Sequence, residues 1–168
     1  MVDPDTQRTL GYEAIFLGTG RMTRGGDPAT MQVVTATQEI GKGDRLIATG
    51  KAMISQYLPH APKVFLQGKI ISLYGALATS EGGPNSIVAL NKGTKNGLEH
   101  GHVLALYRAG ASAVDPASTL SRDAAPTIKL PDERYGLVLI FRTFDSVSYA
   151  LVMESSRPVA PGDLLRTP

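Results

Sequence analysis

The residues from Asn85 to Arg108 constrain the fold more than any other part of the sequence. An apolar run, Ile87–Leu90, leads into a turn-rich segment with glycines at positions 93, 97 and 101, and a second apolar run, Val103–Tyr107, follows. Glycines at every fourth position between β-formers indicate chain reversals that need a left-handed backbone or a close backbone approach. Asn96-Gly97 is also a strong turn dipeptide. The stretch predicts a strand, a compact double turn and a second strand.

Apolar and β-branched segments bounded by turn residues recur along the rest of the chain. No long segment shows a helical period with caps, so the sequence predicts an all-β fold of antiparallel, small-barrel-like modules. The predicted strands are 10–17, 30–36, 68–74, 86–90, 103–108, 136–143 and 147–153, and the last two are predicted to form one hairpin. Residues 18–29 are predicted to form a loop or a wide hairpin end, and residues 109–130 a loop.

One buried cluster is predicted from these strands. Leu98 lies between two glycines of the central turn, and we expect it to plug the base of a barrel. The predicted core consists of Ile87, Leu90, Leu98, Val103, Leu106, Leu139, Phe141, Ala150, Val152 and Leu165.

The sequence also contains an internal similarity. Residues 11–16 align in sequence with residues 136–141 at an offset of 125, and a second set of residues aligns at an offset of 119. That second set places Val33, Ile40, Gly43-Asp44 and Leu46 over Val152, Val159, Gly162-Asp163 and Leu165. Motifs that recur in the same order predict one and a half copies of a repeat. Residues 1–50 would be the second half of a β module, 51–67 a linker and 68–168 a complete β module. We expect 1–50 to pack against 68–168.

Composition excludes several classes of protein. The net charge is +2, from 17 basic and 15 acidic residues, which gives no electrostatic case for nucleic acid. No apolar run approaches the roughly 18 residues of a membrane span, so the chain is not expected to span a membrane. There is no cysteine. The opening residues lack the basic and apolar regions of a signal peptide, and we expect the chain to be a piece of a longer protein.

His100 and His102 are the first candidates for chemistry. On a strand, residues two apart point to the same side, a geometry that zinc can use. Glu99 would face the other way, however, and His60 lies in the predicted linker. We therefore predict no metal site, with both histidines on the exposed side of a turn.

Other candidate motifs lack the spacing that their chemistry needs. Gly18-Thr19-Gly20 and Gly25-Gly26-Asp27 match no phosphate-binding loop and are predicted to be hairpin glycines. Asp44 and Asp163 are predicted to bond backbone N–H groups of their own turns, not to converge as an acid–base pair. The serines have no histidine tied to them by sequence: Ser112, Ser118, Ser121, Ser155 and Ser156. We predict no catalytic residue and no cofactor, and hence a protein that is not an enzyme.

Basic and aromatic side chains supply the remaining surface candidates. The basic residues Arg21, Arg24, Lys42, Arg45 and Lys51 are predicted to form a solvated face. Aromatic residues could line a sugar-stacking surface, although tyrosine in strands is more often half-buried with its hydroxyl at the rim. These residues are Tyr12, Tyr74, Tyr107, Tyr135, Tyr149, Phe16, Phe141 and Phe144.

Three segments resemble one known family. LPDERYGLVLIFRTFDSVSYALVMESSRPVAPGDLLRTP (130–168), VALNKGTKNGLEHGHVLALYR (88–108) and GYEAIFLG…DPATMQVVTATQEIGKGDRL (11–46) are similar to the C-terminal region of LysM-domain peptidoglycan-binding proteins of proteobacteria. The strand–GxxxGxxxG–strand unit is also similar to the C-terminal domain of the flagellar assembly protein FlgT. No LysM module lies within these segments.

The resemblance implies a periplasmic protein of the cell envelope. Its peptidoglycan contact would be made through a LysM module outside this chain, and an envelope protein is a further expected partner. We therefore expect a non-catalytic module with a structural or protein-interaction role, whose binding residues are unknown. The alternative is direct glycan binding through the strand tyrosines.

Overall fold

The computed structural model describes residues 1–50, 58–75, 81–114 and 127–168. The fold is all-β, as predicted, and within these residues the strands are joined by turns and a short 3₁₀ turn, Thr94–Asn96. The strands are β1 (Gly18–Arg24), β2 (Thr30–Ala36), β3 (Gln67–Leu73), β4 (Ile87–Leu90), β5 (Val103–Arg108), β6 (Ser112–Val114), β7 (Thr127–Lys129), β8 (Glu133–Thr143), β9 (Ser148–Ser155) and β10 (Leu164–Arg166). In the part of the chain that the structure describes, no helix is long and apolar enough to cross a membrane.

The chain divides into two compact units. The larger unit comprises Met1–Tyr12 and Gln56–Pro168, and the smaller one comprises Glu13–Ser55. The predicted division into 1–50, 51–67 and 68–168 stays a prediction, and residues 51–57 of the predicted linker lie outside the described residues.

The larger unit contains a closed antiparallel barrel. Its strand order is β10–β3–β4–β9–β8–β5, and the short β10 closes the barrel by pairing with both β3 and β5. The predicted hairpin is confirmed as β8–β9, where the Phe144 amide donates to the Val147 carbonyl (2.8 Å) at the turn. A barrel leaves no exposed sheet edge, which removes the usual site of unwanted strand pairing.

The predicted strand, double turn and strand of the central stretch are confirmed. The 3₁₀ turn ends at Gly97, whose φ of 83° lies in the left-handed region that favours glycine. Gly101 follows with a φ of 90°, and its amide donates to the Ile140 carbonyl (2.8 Å). Between the two glycines Leu98 turns into the core and is 1% exposed, as expected for a plug.

The barrel core confirms part of the predicted cluster. Leu90, Leu98, Leu106, Ala150, Val152 and Leu165 are buried in it. The prediction was wrong for four residues that are only half-buried: Ile87, Val103, Leu139 and Phe141. In β8 the inward residues are instead Val138 and Ile140.

The wrong positions share one face of the sheet. Leu139 pairs with both Val103 and Leu151, and Leu151 pairs with Ile87, so these side chains form a row across four strands. The run from Leu137 to Phe141 is apolar throughout, so it carries no alternation from which the inward face could be read.

Two other predictions are corrected. Residues 10–17 do not form a strand. The strand is β1, which lies in the segment predicted as a loop or a wide hairpin end and forms a hairpin with β2. Its sequence, GTGRMTR, is polar and glycine-rich, so β propensity alone would not identify it. Within the predicted loop 109–130, β6 pairs with β7, and residues 115–126 lie outside the described residues.

Candidate functional site

His60 and His102 lie side by side in the larger unit. The His60 amide donates to the Gly101 carbonyl (2.9 Å), and the Val103 amide donates to the His60 carbonyl (2.8 Å), so His60 bridges to His102 as a parallel pair. The two ring centroids are 4.9 Å apart. The Glu99 amide donates to Nδ1 of His102 (3.1 Å).

Ligand-type atoms of His60, Glu99 and His102 lie within 4.8 Å of one another. Nδ1 of His60 donates to the Leu58 carbonyl (2.9 Å), so Nε2 carries the lone pair of the neutral ring. In His102, Nδ1 accepts the Glu99 N–H, so the neutral ring carries its proton on Nε2 and offers no free lone pair. These contacts hold the segment around His60 against the barrel. We call the contacts of His60 with Gly101, His102 and Val103 the His60 clasp.

Burial lowers the pKa of His102, and the neighbouring His60 lowers it further, while Glu99 acts in the opposite direction. His102 is 5% exposed, so the prediction that it lies on the exposed side of a turn was wrong, whereas His100 is exposed as predicted. Protonation would therefore have to place a charge in a site that disfavours it.

The sequence suggested His100 and His102 as the pair to consider, whereas the structure places His60 beside His102. His100 does not join His102: its Nε2 accepts a hydrogen bond from the Thr143 amide (3.1 Å). The Glu99 side chain was expected to face away from His102, but one of its carboxylate oxygens lies within 4.8 Å of a ring nitrogen of His102. His60 is 42 positions from His102 (102 − 60) and was assigned to a linker, so no local spacing could have found the contact.

Asp163 is the centre of a second polar cluster. Its Oδ2 accepts from the Ala160 amide (2.9 Å), which confirms the predicted bond within its own turn. The same oxygen also accepts from the Tyr135 hydroxyl (2.7 Å) and from Arg108 Nη2 (3.1 Å). Sequence reasoning missed these two partners, because they come from β8 and β5.

This cluster ties β5 and β8 to the turn that precedes β10. The hydrogen bond to Asp163 raises the pKa of Arg108, so the guanidinium stays charged. Burial and the Asp163 carboxylate raise the pKa of Tyr135, which therefore stays neutral and donates. Each group is held in the protonation state that its partner requires, as expected of a structural ion-pair network.

Three of the candidate aromatic residues meet on the barrel. Tyr149 packs edge-on against Tyr74 (centroids 5.8 Å apart) and against Phe144 (6.1 Å). The Arg142 guanidinium lies 5.4 Å from the Phe144 ring centre. Beside Tyr74 lies an open cleft of about 360 Å³, lined also by Glu81 and Asn85.

The remaining aromatic candidates are dispersed. Tyr135 is buried, the Arg166 guanidinium lies over Tyr107, Phe141 is half-buried, Tyr12 is 94% exposed and Phe16 belongs to the smaller unit. The predicted solvated basic residues Arg21, Arg24, Lys42 and Arg45 are exposed, and Lys51 lies outside the described residues. Gly18-Thr19-Gly20 lies in β1, and Gly25-Gly26-Asp27 lies in the turn that follows it. Ser112 begins β6, Ser155 ends β9, Ser156 follows β9, and Ser118 and Ser121 lie outside the described residues.

Within its described residues, 13–50, the smaller unit contains one hairpin, β1–β2, whose pairing has the same pattern as β8–β9. Each hairpin begins with two regular pairs, starting at Gly18↔Ala36 and at Gly136↔Ser155. Each then skips one residue of the second strand, makes three regular pairs and skips one residue of the first strand. Equivalent positions are therefore 118 apart in the first strand (136 − 18) and 119 apart in the second (155 − 36).

In both hairpins the glycine of the first pair lies very close to the backbone of the neighbouring strand. A Cβ on Gly18 would lie 2.1 Å from the Thr35 carbonyl oxygen, and a Cβ on Gly136 would lie 2.3 Å from that of Glu154. Both positions therefore require glycine. The predicted first-strand match placed Gly11 on Gly136, and the pairing places Gly18 there instead.

The turns after the two hairpins also correspond. The Thr37 amide and hydroxyl both bond the Leu17 carbonyl (2.8 and 3.0 Å). Ser156 bonds the Tyr135 carbonyl in the same two ways (2.9 and 3.3 Å). Oδ2 of Asp44 accepts from the Gly41 amide (2.6 Å), as predicted for an aspartate in its own turn and as Asp163 does from Ala160.

Burial distinguishes the two hairpins. Met22, Val33, Ile40 and Leu46 are 61%, 55%, 41% and 74% exposed. Their equivalents in the barrel, Ile140, Val152, Val159 and Leu165, are each 0% exposed. Met22, Met31 and Val33 share one face of the hairpin, and Ile40 and Leu46 follow it at the positions equivalent to Val159 and Leu165. We call these five side chains the open face of the smaller unit.

The opposite face of the hairpin carries a pair of polar side chains. Arg21 and Gln32 pair there, at the positions equivalent to Leu139 and Leu151. Among the described residues, β1 and β2 form a sheet of two strands, so each has one edge without a strand partner. The unit thus offers one apolar face and two free edges.

No protein-family model matches the chain, and no curated protein is significantly similar to it.

Proposed function

We propose that this protein is a non-catalytic, periplasmic module of a peptidoglycan-associated, LysM-type protein, and that it has a protein-interaction role in the cell envelope. The open face is the observation that carries the interaction role. Four of its five side chains, Met22, Val33, Ile40 and Leu46, are 41–74% exposed beside free strand edges, which marks a surface that gains stability when another polypeptide covers it.

The smaller unit is, in this proposal, a partial copy of the β module in the larger unit. Three matching features support that relationship: the positions of the bulges, the glycines that lie against the neighbouring strand, and the turns in which an aspartate accepts a backbone N–H. The envelope location and the peptidoglycan partner rest on the resemblance in the three quoted segments. The glycan contact would be made by a LysM module outside this chain.

The polar clusters support a structural role for the charged groups. Asp163 accepts hydrogen bonds from two side chains and one backbone amide, and its carboxylate is 7% exposed. A carboxylate held in this way stabilises the barrel and has little remaining capacity for proton transfer to a substrate.

Site-specific photo-crosslinking in the native cell tests the interaction role. A crosslinker at Val33, on the open face, should form a protein adduct in the periplasmic fraction. The matched position is Gln32, the preceding residue of β2, whose side chain lies on the opposite face and should give little adduct. Equal labelling at the two positions, or recovery of the protein only from the cytoplasm, would count against the proposal.

Direct glycan binding is a second candidate, favoured by the cluster of Tyr74, Phe144 and Tyr149 beside the cleft. Exposed rings near polar side chains can stack on sugars. If this candidate holds, the chain alone should sediment with purified peptidoglycan, and Tyr74→Ala should abolish sedimentation. Tyr12→Ala, an exposed tyrosine outside the cluster, is the matched control. Absence of sedimentation removes this candidate and leaves the interaction role.

A further inference from the structure

We infer that the open face is completed into a barrel by a three-stranded segment from another repeat of the same module, equivalent to β3–β4–β5 of this chain. This inference rests on the proposed function, since it names the partner of the same surface.

The complete barrel shows what covers each equivalent position. Beside β8 and β9 lie β5 and β4, with Leu104 paired to Val138 and Val88 paired to Ala150. In the smaller unit, Val138 and Ala150 correspond to Gly20 and Met31. A β5-type strand would therefore pair along β1, and a β4-type strand along β2.

The segment after the hairpin has the matching counterpart. In the barrel, the aspartate turn leads directly into β10, which pairs with β3 and β5 and buries Leu165. In the smaller unit the same turn leads into Arg45–Ile47, where Leu46 is 74% exposed. A β3-type strand and a β5-type strand would together provide the two edges that this segment needs.

These requirements define the chemistry of the partner. It has two apolar strands joined by a glycine-rich double turn with a leucine in the position of Leu98, preceded by a third strand. The occupant binds on one side only, because the opposite face carries the Arg21 and Gln32 pair. A β3–β5 segment that already pairs with β8–β10 of its own repeat would have to break that pairing first. The partner segment must therefore come from a repeat in which β3–β5 is not already paired with β8–β10.

The test supplies such a segment to the full chain. A second copy of residues 58–114 is fused ahead of Met1 through a flexible Gly/Ser linker. Hydrogen–deuterium exchange is then followed at the amides of β2 and of Arg45–Ile47. We expect the added copy to slow exchange at these amides by at least about tenfold, because they would become paired and buried.

Two variants of the fused chain provide the control. Val33→Asp places a charge on the open face and should return exchange to the rate of the unfused chain, whereas Gln32→Asp in the same strand should keep the protection. The inference is overturned if fusion leaves exchange unchanged, or if both variants behave alike. It is also overturned if light scattering shows that the unfused chain is a dimer that Val33→Asp dissociates, because the occupant would then be a second copy.

The two proposals fail separately. If the fused copy gives no protection while Val33 still crosslinks to an envelope protein that lacks this strand pattern, the identity of the partner is wrong and the interaction role stands. If neither position crosslinks in cells but the fused copy protects β2, the strand chemistry stands and the envelope interaction does not.

Discussion

Asp163 and Asp44 occupy the same kind of turn, yet only Asp163 has strand partners. Asp163→Ala removes the acceptor for the Tyr135 hydroxyl and the counter-charge for Arg108. We expect it to lower the free energy of unfolding by about 2–4 kcal/mol, since it leaves a buried hydroxyl without an acceptor and a partly buried guanidinium without its counter-charge. Asp44→Ala removes only the turn bond and should cost less than about 1 kcal/mol. Urea denaturation of the two variants measures the difference, and equal losses would show that the network adds nothing to the turn.

Leu98 was predicted from the sequence to be buried, and its burial in the structure predicts a large loss of stability on truncation. It is 1% exposed within the core cluster. Leu98→Ala should therefore lower the free energy of unfolding by about 2–5 kcal/mol, the usual range for a leucine that leaves a cavity. Leu46→Ala, at an exposed leucine of the smaller unit, is the comparison and should cost much less. A loss below about 1 kcal/mol for Leu98→Ala would contradict its role as the plug.

His102 predicts a dependence of stability on pH. Burial and His60 lower its pKa in the folded chain, so the unfolded chain binds a proton more readily. The stability that neutral His102 contributes is present above the unfolded pKa of about 6.5 and is lost as pH falls through the folded pKa. Denaturant titrations between about pH 7 and 5 should show a loss of up to about 1.4 kcal/mol per pH unit from this group.

The matched variant for this prediction is His102→Asn. An asparagine oxygen can accept the Glu99 amide bond in place of Nδ1 but does not titrate. The pH slope should therefore shrink in His102→Asn and persist in Leu98→Ala, which is destabilised without losing the histidine. A slope that is the same in His102→Asn as in the original chain would exclude this histidine as its source.

At the scale of elements, the β8–β9 hairpin depends on one close approach. A Cβ at Gly136 would lie 2.3 Å from the Glu154 carbonyl oxygen, so the strands could not keep their pairing. We expect Gly136→Ala to lower the free energy of unfolding by about 1–3 kcal/mol, as is typical of overpacking. Gly83→Ala, where no atom lies within 4 Å of the added Cβ, should be nearly neutral. Thermal unfolding of both variants gives the comparison, and equal melting temperatures would contradict it.

Strands with a clear local pattern were predictable from sequence, and strands without one were not. The run before the central glycines and the run after them are apolar and bounded by turns, so β4 and β5 were found within a residue. By contrast, β1 is polar and depends on its pairing with β2, which residue propensity does not report. The inward face of β8 could not be read, because an unbroken apolar run fits either face of a sheet.

The candidate sites were less predictable for a related reason. The contact between His60 and His102 and the bonds from Tyr135 and Arg108 to Asp163 join segments far apart in the chain. Local spacing identified Asp163 as a turn residue and could not supply its distant partners. From the sequence, the residues of the open face could be recognised only through the similarity between two segments. That their side chains are exposed could be learned only from the three-dimensional structure.

For the whole molecule, the larger unit is held by contacts from the N-terminal residues and the His60 clasp. The Asn91 side-chain amide donates to Asp3 (3.0 Å), Lys69 forms an ion pair with Asp5, and His60 bridges to His102. A chain lacking residues 1–62 should therefore be less stable than the full chain, and both should be monomers by light scattering. A dimeric full chain that becomes monomeric on deletion would show that the removed residues mediate exchange between chains.

The closure of the barrel at β10 has a consequence for folding kinetics. Arg166 pairs with Gln67 at the seam, so the two strands that meet there come from opposite ends of the barrel sequence. Forming such a contact requires a large loop to close first, whereas the β8–β9 hairpin can form locally. The hairpin should therefore be an early element and the seam a late one. Changes in β10 should then chiefly accelerate the opening of the folded barrel and leave the rate of its formation nearly unaltered.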